Sequence, residues 1–376
     1  MNPAMSQIRA MTIECEKVKG INLAQGICDL DTPSEVMDTA INSIKEGKNT
    51  YSRADGVEPL RIAVAEKLAK FNNIKADPEK NIIITHGATG GFYSALTALL
   101  KQGDEVIVFE PFYGYHINTL TLAGMVPKIV KMNPPNWTFS IDDIKITSKT
   151  KAILINTPSN PCGKVFSEKE IREIGELCLK NDLFLFTDEV YEYFIYSDIK
   201  HLSPASIDKF KHKVITISSY SKTFSITGWR VGYCVVNDEE LAGKIKKVND
   251  LIYICSPTPF QYAVCEGINK LPDSYYINLK NDLKIKRDKL HRVLNDKGFY
   301  THLPEGAYYI LSDISSLKGA TGKEKAMYLL EKTGVAVVPG NEFFEGEIGN
   351  NFARFCFGKK DKDLDRACEQ LEKLVV

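Results

Sequence analysis

The chain has 376 residues, 44% hydrophobic and 26% charged, an ordinary balance for a soluble globular protein and enough for two domains with sizeable cores. Lys+Arg and Asp+Glu both number 48, so the formal net charge is zero, which argues against a broad nucleic-acid or anionic-membrane surface. The nine cysteines and six histidines are dispersed with no zinc-ligand or C-x-x-C spacing, so they suggest no metal site and read as reduced thiols of a cytoplasmic protein.

The N-terminal stretch Met1–Gly20 is mixed and acid-containing, with no apolar core of a signal peptide, and no stretch reaches the length of a membrane span. The first forty or so residues carry no strong parallel-sheet pattern. From about residue 80, short apolar runs alternate with helical patterns. Asn81–Thr85, Glu105–Phe109, Ala152–Asn156, Leu183–Phe186, Val214–Ser218 and Val231–Val236 read as strands. Gly91–Leu100, Glu168–Lys180 and Glu239–Asp250 have helical spacing. The strands are continuously apolar rather than alternating, which predicts a mostly parallel sheet covered on both faces. The last third changes character. A long charged helix is expected over Asp273–Gly298, followed by strands at Tyr308–Asp313, Val335–Val338 and Phe352–Phe357 and helices at Lys323–Lys332 and Lys362–Leu374. This reads as a smaller α+β domain.

Polar clusters follow the apolar strands, where open α/β sheets bind ligands. After the strand at Val214 comes Ser219-Tyr220-Ser221-Lys222, with Gly228 and Arg230 downstream. A lysine near a pocket can form a Schiff base with an aldehyde, and hydroxyls with an arginine can hold a phosphate. Pyridoxal phosphate needs both. After Thr85, the run His86-Gly87-Ala88-Thr89-Gly90-Gly91 opens a helix whose N-terminus favours an anion, with His86 read as a structural turn residue. Glu110-Pro111-Phe112-Tyr113-Gly114-Tyr115 offers an aromatic face, with Phe112 and Tyr115 read as core packing. Asn156-Thr157-Pro158-Ser159-Asn160-Pro161-Cys162-Gly163 is a loop fixed by prolines, and its Asn160–Pro161 bond can be cis. Asp188 ends an apolar strand, where a carboxylate is costly unless paired; a protonated pyridine nitrogen would pair it. Glu189 is read as having a structural partner. Arg354 lies inside the apolar run Asn351–Phe355, and a buried arginine seeks a bidentate anion.

Together these motifs resemble class I/II aminotransferases of the fold-type-I pyridoxal-phosphate enzymes, the aspartate, aromatic and kynurenine aminotransferase group, over roughly residues 5 to 374. The N-x-P-x-N-P-x-G loop, D-E-x-Y and S-x-x-K with an arginine eight residues on are the most specific parts. The resemblance implies a large cofactor-binding domain (45–272), an N-terminal arm that joins the small domain (1–44) and a C-terminal small domain (273–376). It implies that Lys222 carries the cofactor, that Asp188 pairs with its ring nitrogen, and that Tyr113 stacks on its ring. Asn160 and Tyr191 would hold its phenolic oxygen. Gly87, Ala88, Thr89, Ser219, Ser221 and Arg230 would hold its phosphate, and Tyr51 would reach the phosphate of a neighbouring subunit in a homodimer. Arg354, Gly26 and Asn160 would receive the substrate carboxylate. In Gln25-Gly26-Ile27-Cys28-Asp29, Cys28 stands where the family usually has proline, and Ile27 is expected to face the substrate.

The implied activity is ping-pong transfer of an amino group from an L-amino acid to a 2-oxo acid. Two alternatives share the same residues: a β-lyase using the same cofactor, and a non-enzymatic cofactor-binding scaffold. No convincing second arginine awaits a side-chain carboxylate, which leans toward neutral or aromatic amino acids with 2-oxoglutarate as acceptor. Arg53 and the segment Tyr253–Phe260, reaching in from a partner subunit, leave an aspartate preference open.

Overall fold

Alternate residues of the apolar strands enter two separate cores. Ile83, Val106, Val108, Leu154, Phe186 and Ile215 pack on one side of the main sheet, while Ile82, Ile107, Ile153, Ile155, Leu185 and Val214 pack on the other. A strand buried on both faces has no polar phase, which is why these runs are continuously hydrophobic.

The computed structural model describes residues 6–375; residues 1–5, including the start of the expected N-terminal arm, and Val376 lie outside it. In chain order, α1 (Gln7–Lys17), β1 (Ile21–Asn22), α2 (Ser34–Lys45) and α3 (Glu58–Lys67) come first, and α3 runs into a π-turn at Leu68–Asn72. The main sheet follows, as β2 (Ile82–His86), β3 (Glu105–Glu110), β4 (Val126–Lys131), β5 (Thr150–Asn156), β6 (Phe184–Asp188), β7 (Val214–Ser219) and β8 (Val231–Val235). Helices α4 (Gly87–Leu99), α5 (Gly114–Leu122) and α6 (Glu168–Lys180) lie between them, and α7 (Glu239–Tyr253), α8 (Thr258–Lys270) and α9 (Asp273–Asp296) come after. The chain closes with β9 (Tyr309–Asp313), α10 (Gly322–Thr333), β10 (Val335–Ala336), β11 (Val338–Pro339), β12 (Phe352–Cys356) and α11 (Asp361–Glu372).

The seven-stranded sheet has the order β2-β8-β7-β6-β5-β3-β4. Only β8 runs against its neighbours; the pairs β3–β4, β3–β5, β5–β6 and β6–β7 are parallel. This is the α/β, mostly parallel architecture expected. The carboxyl ends of β2, β3, β5, β6 and β7 therefore share one edge. In the C-terminal part, β11, β12 and β9 form an antiparallel sheet, and β1 pairs in parallel with β10.

Each strand expected from the sequence is present within a residue or two, with one exception. Val335–Val338 is two strands in two different sheets, because Val335 pairs with Ile21 while Val338 turns to pair with Arg354. All four residues are buried, so hydrophobicity could not mark the break. The edge strand β4 was not anticipated, because Pro127, Lys128 and Lys131 interrupt its apolar pattern. Helices α1, α2, α3, α5 and α8 were also not anticipated. Helix α2 carries Val36, Met37, Ala40, Ile41 and Ile44 along one stripe, of which Val36 and Ala40 are buried while Met37, Ile41 and Ile44 are exposed.

The loop bearing Asn160 is clamped from the C-terminal part of the chain. Gly306 donates its N–H to the Gly163 carbonyl at 2.8 Å, and a Cβ on Gly163, at φ +70°, would lie 2.3 Å from Pro304 Cβ. Gly163→Ala combines a left-handed backbone with a clash and is expected to cost about 2 kcal/mol. A lowered midpoint in chemical denaturation checks this.

Candidate active site

The shared strand edge opens onto a cavity of about 380 Å³ lined by residues from five strand-end loops, the N-terminal segment and β9 and β12. Among the sequence-predicted residues, Gly26, Ala88, Thr89, Tyr113, Asn160, Asp188, Tyr191, Ser219, Ser221, Lys222, Arg230 and Arg354 line it. Ile27 and Gly228 line it too.

Lys222 follows β7 and points its Nζ at the Gly26 carbonyl, 2.8 Å away, which also accepts from Tyr308 Oη at 3.1 Å. Lys222 is half-buried and lines the cavity. Burial lowers its pKa to about 8, and the charges of Arg354 and Arg230 push the same way. A lysine poised this way is a neutral amine at mildly alkaline pH, as a nucleophile or proton acceptor must be.

One end of the cavity fits a phosphate. Helix α4 starts here with no side-chain cap, so its first N–H groups have no partner within the helix. Arg230, itself at φ +59°, lays its guanidinium over Gly87, where a Cβ would fall 2.4 Å from Nη2. The glycine does not line the cavity; it permits this approach. Ser219 and Ser221 add hydroxyls from the end of β7.

Asp188, at the end of β6, accepts from His116 Nε2 at 2.9 Å and from the Val190 N–H at 3.3 Å. His116 sits on α5, and its ring meets Tyr113 edge-on with centroids 5.2 Å apart. Sequence reasoning missed His116, since it lies 72 residues from Asp188 and no local motif marks it. Tyr115, read as packing, instead lines the cavity and stacks on Tyr113 at 5.3 Å. Phe112 is indeed core. Burial pushes the Tyr113 and Tyr191 hydroxyls well above the ordinary tyrosine pKa, so both stay protonated donors.

Arg354 is the most informative group. It is 1% exposed and has no carboxylate partner among the described residues. Its Nη1 donates to Asn160 Oδ1 at 2.9 Å and its Nη2 to the Ala24 carbonyl at 2.7 Å, while buried Nε has no partner. The ring of Tyr309 covers it at 4.2 Å, and Tyr309 Oη meets Tyr191 Oη at 3.0 Å. A buried cation with an idle donor is costly unless an anion arrives. Asn160 is aligned in turn by Asn156, whose Oδ1 accepts its N–H at 2.7 Å. The Asn160–Pro161 peptide is cis. Tyr309, Tyr308 and Asn156 were not singled out from the sequence; tyrosines in a buried strand look like any core residues.

Some expected residues lie elsewhere. Tyr51 is 80% exposed and does not line this chain's cavity. Arg53 forks onto Asp55 and pairs with Glu79. Residues 253–260 are absent from the cavity wall: Tyr253 stacks on His86 and Phe260 on Trp229. Glu189 accepts from His201 at 2.7 Å, Ser203 at 2.7 Å and Thr187 at 3.0 Å, the structural role expected of it. With Glu192 and His201 it forms a group whose carboxylate oxygens and ring nitrogen lie within 4.8 Å of one another, spaced as a cation site would be. The Lys67 ammonium already pairs with Glu192 there.

The model of the aminotransferase class I and II family matches residues 18–371, and the chain belongs to that family. An aspartate aminotransferase of Pyrococcus abyssi is 35% identical over 94% of this chain and 91% of its own length. A methionine aminotransferase of Escherichia coli is 30% identical over 97% and 94%. The solved structure of N-succinyldiaminopimelate aminotransferase from Mycobacterium tuberculosis superposes with a TM-score of 0.94 at 32% identity, covering 98% of this chain and 97% of that one. The fold is therefore that of fold-type-I aminotransferases. The protein is a pyridoxal-phosphate-dependent aminotransferase acting on amino acid and 2-oxo acid substrates. These relatives lend no support to the lyase or scaffold alternatives.

In the cofactor-free protein, an amine-directed reagent is expected to label Lys222 with an apparent pKa near 8, below the ordinary lysine value of 10.5. Labelling should rise about tenfold per pH unit below that point and level off above it. Peptide mapping across a pH series checks this.

Proposed function

We propose that the protein transfers the amino group of a neutral or aromatic L-amino acid to a 2-oxo acid in a ping-pong cycle, with 2-oxoglutarate as acceptor. The observation that carries this is Arg354: a buried guanidinium with a free donor and no acid partner among the described residues, facing the same cavity as Lys222. The described lining holds three cations, Lys222, Arg230 and Arg354, and each has a task. The remaining wall includes Ile8, Ile27, Phe92, Tyr115 and Thr119, which offers no charge to a second carboxylate.

Bound pyridoxal phosphate supplies an aldehyde that takes up the substrate amino group and a ring that accepts the electrons of the α-C–H bond. The residues divide the remaining work. Arg230, Ser219, Ser221, Ala88, Thr89 and the α4 N-terminus would hold the phosphate. Asp188, held by His116, would keep a proton on the ring nitrogen. Tyr113 would cover the ring, while Asn160 and Tyr191 would donate to its phenolic oxygen. Arg354, with the Gly26 backbone and Asn160, fixes the substrate carboxylate and so the α-C–H direction. Lys222 Nζ would accept the α-proton and hand it back, acting as base and then acid on the one face it reaches.

The same reading includes a homodimer, in which Tyr51 would reach the phosphate of the neighbouring subunit; its exposure within a family-like motif supports this. It includes the division at 1–44, 45–272 and 273–376, supported by three separate sheets. It also includes a cytoplasmic location, supported by nine free cysteines. Among the described residues, no helix is long and apolar enough to cross a membrane.

Absorbance spectra of the holoenzyme, with amino acids added singly and without acceptor, test the reading. Methionine, leucine or aromatic amino acids should convert the cofactor to its amine form faster than aspartate or glutamate, and a 2-oxo acid should restore it. Ammonia and pyruvate accumulating with the spectrum unchanged would sink amino transfer. Arg354→Ala should lower kcat/KM by about 10²–10³-fold, from the lost charged hydrogen bonds, while leaving cofactor affinity intact. Steady-state kinetics beside a cofactor titration separate the two effects.

A further inference from the structure

A second cavity, of about 640 Å³, opens between the end of α3, the start of α9 and the turn after β6. It shares no lining residue with the active site. Its floor is a ladder of aromatic rings: Phe71 meets Tyr193 at 4.3 Å, and Tyr193 stacks on Tyr276 at 4.6 Å with the planes 25° apart. The Phe71 rung sits on the π-turn that ends α3, an irregularity found disproportionately at functional sites. A cluster of rings lining a concavity of this size suits a ligand that is itself aromatic.

The charges around the rings narrow the class. Two of the three lining lysines are neutralised within the protein, Lys67 by Glu192 and Lys70 by Asp273 at 2.8 Å. That leaves Lys270 and Glu66, one cation and one anion, both exposed and without an ion-pair partner among the described residues. A ligand complementary to this wall carries a ring, a carboxylate and an ammonium. The cavity is also tied to the active site. Tyr275, edge-on to Tyr276, donates its hydroxyl to the Thr223 carbonyl at 2.6 Å, one residue from Lys222.

We propose that this cavity is a second ligand site, taking an aromatic zwitterion of the amino-acid type, separate from the site where such a molecule is transformed. The probe is α-methyl-L-phenylalanine, which has no α-proton and cannot be transaminated. Holoenzyme whose active site is blocked by saturating amino-oxyacetate is titrated with it by calorimetry. One equivalent per chain should bind, with a dissociation constant of about 1 mM or tighter. Tyr276→Ala and the surface substitution Lys270→Glu should each weaken binding by about tenfold. Absence of binding to the blocked enzyme, or binding indifferent to both substitutions, overturns the proposal. The spectral cycle of the same two variants with amino acid and 2-oxo acid, measured without the blocker, reports on the transaminase reading independently.

Discussion

The site depends on a constraint set by the main sheet. With both faces of β2, β3, β5, β6 and β7 buried under apolar layers, a polar group can be solvated or paired only at the strand ends. Because these strands run in the same direction, their carboxyl ends meet at one edge. Asn156, Asp188 and Ser219 each close a strand there, and Lys222 comes three residues after Ser219. The lateral order of the strands thus converts residues far apart in the chain into neighbours around one cavity.

Buried charge separates structure from chemistry in this molecule. Lys67 and Glu192 are both buried, but they satisfy each other and recruit Asn72 and Tyr233 as well. Arg61 is fully buried yet spends its donors on Glu79 and on the Gly56 and Pro78 carbonyls. Arg354 differs, since its contacts are neutral and one donor is idle. Lys222 differs as well, resting on a single carbonyl. Internally closed pairs hold the fold, whereas incompletely satisfied cations facing a cavity await a ligand.

The C-terminal sheet is more than an appendage to this edge. Arg354 comes from β12, and β9 presents Tyr309, whose ring covers that guanidinium and whose hydroxyl meets Tyr191. Tyr308, one residue earlier, shares the Gly26 carbonyl with Lys222. A Cβ on Gly26 would sit 2.0 Å from Tyr309 Oη, so the close approach of the N-terminal segment requires glycine. Three segments remote in sequence therefore fix the substrate end of the cavity, while the sheet fixes the cofactor end.

The sequence by itself determined the fold class, the strands of the main sheet and the groups that chemistry demands in a fixed local order. Lys222 with Arg230, Asp188 with Tyr191, and the Asn160 loop are legible because the turn after one strand has to carry each set within a few residues. The tertiary structure alone decided what depends on contacts across the chain. His116 on Asp188, the Tyr309 cover on Arg354 and the cavity-lining place of Tyr115 come from packing between separate elements, where no spacing rule applies. The splitting of Val335–Val338 between two sheets has the same origin, since hydrophobicity reports that a residue is buried but not which strand it pairs with.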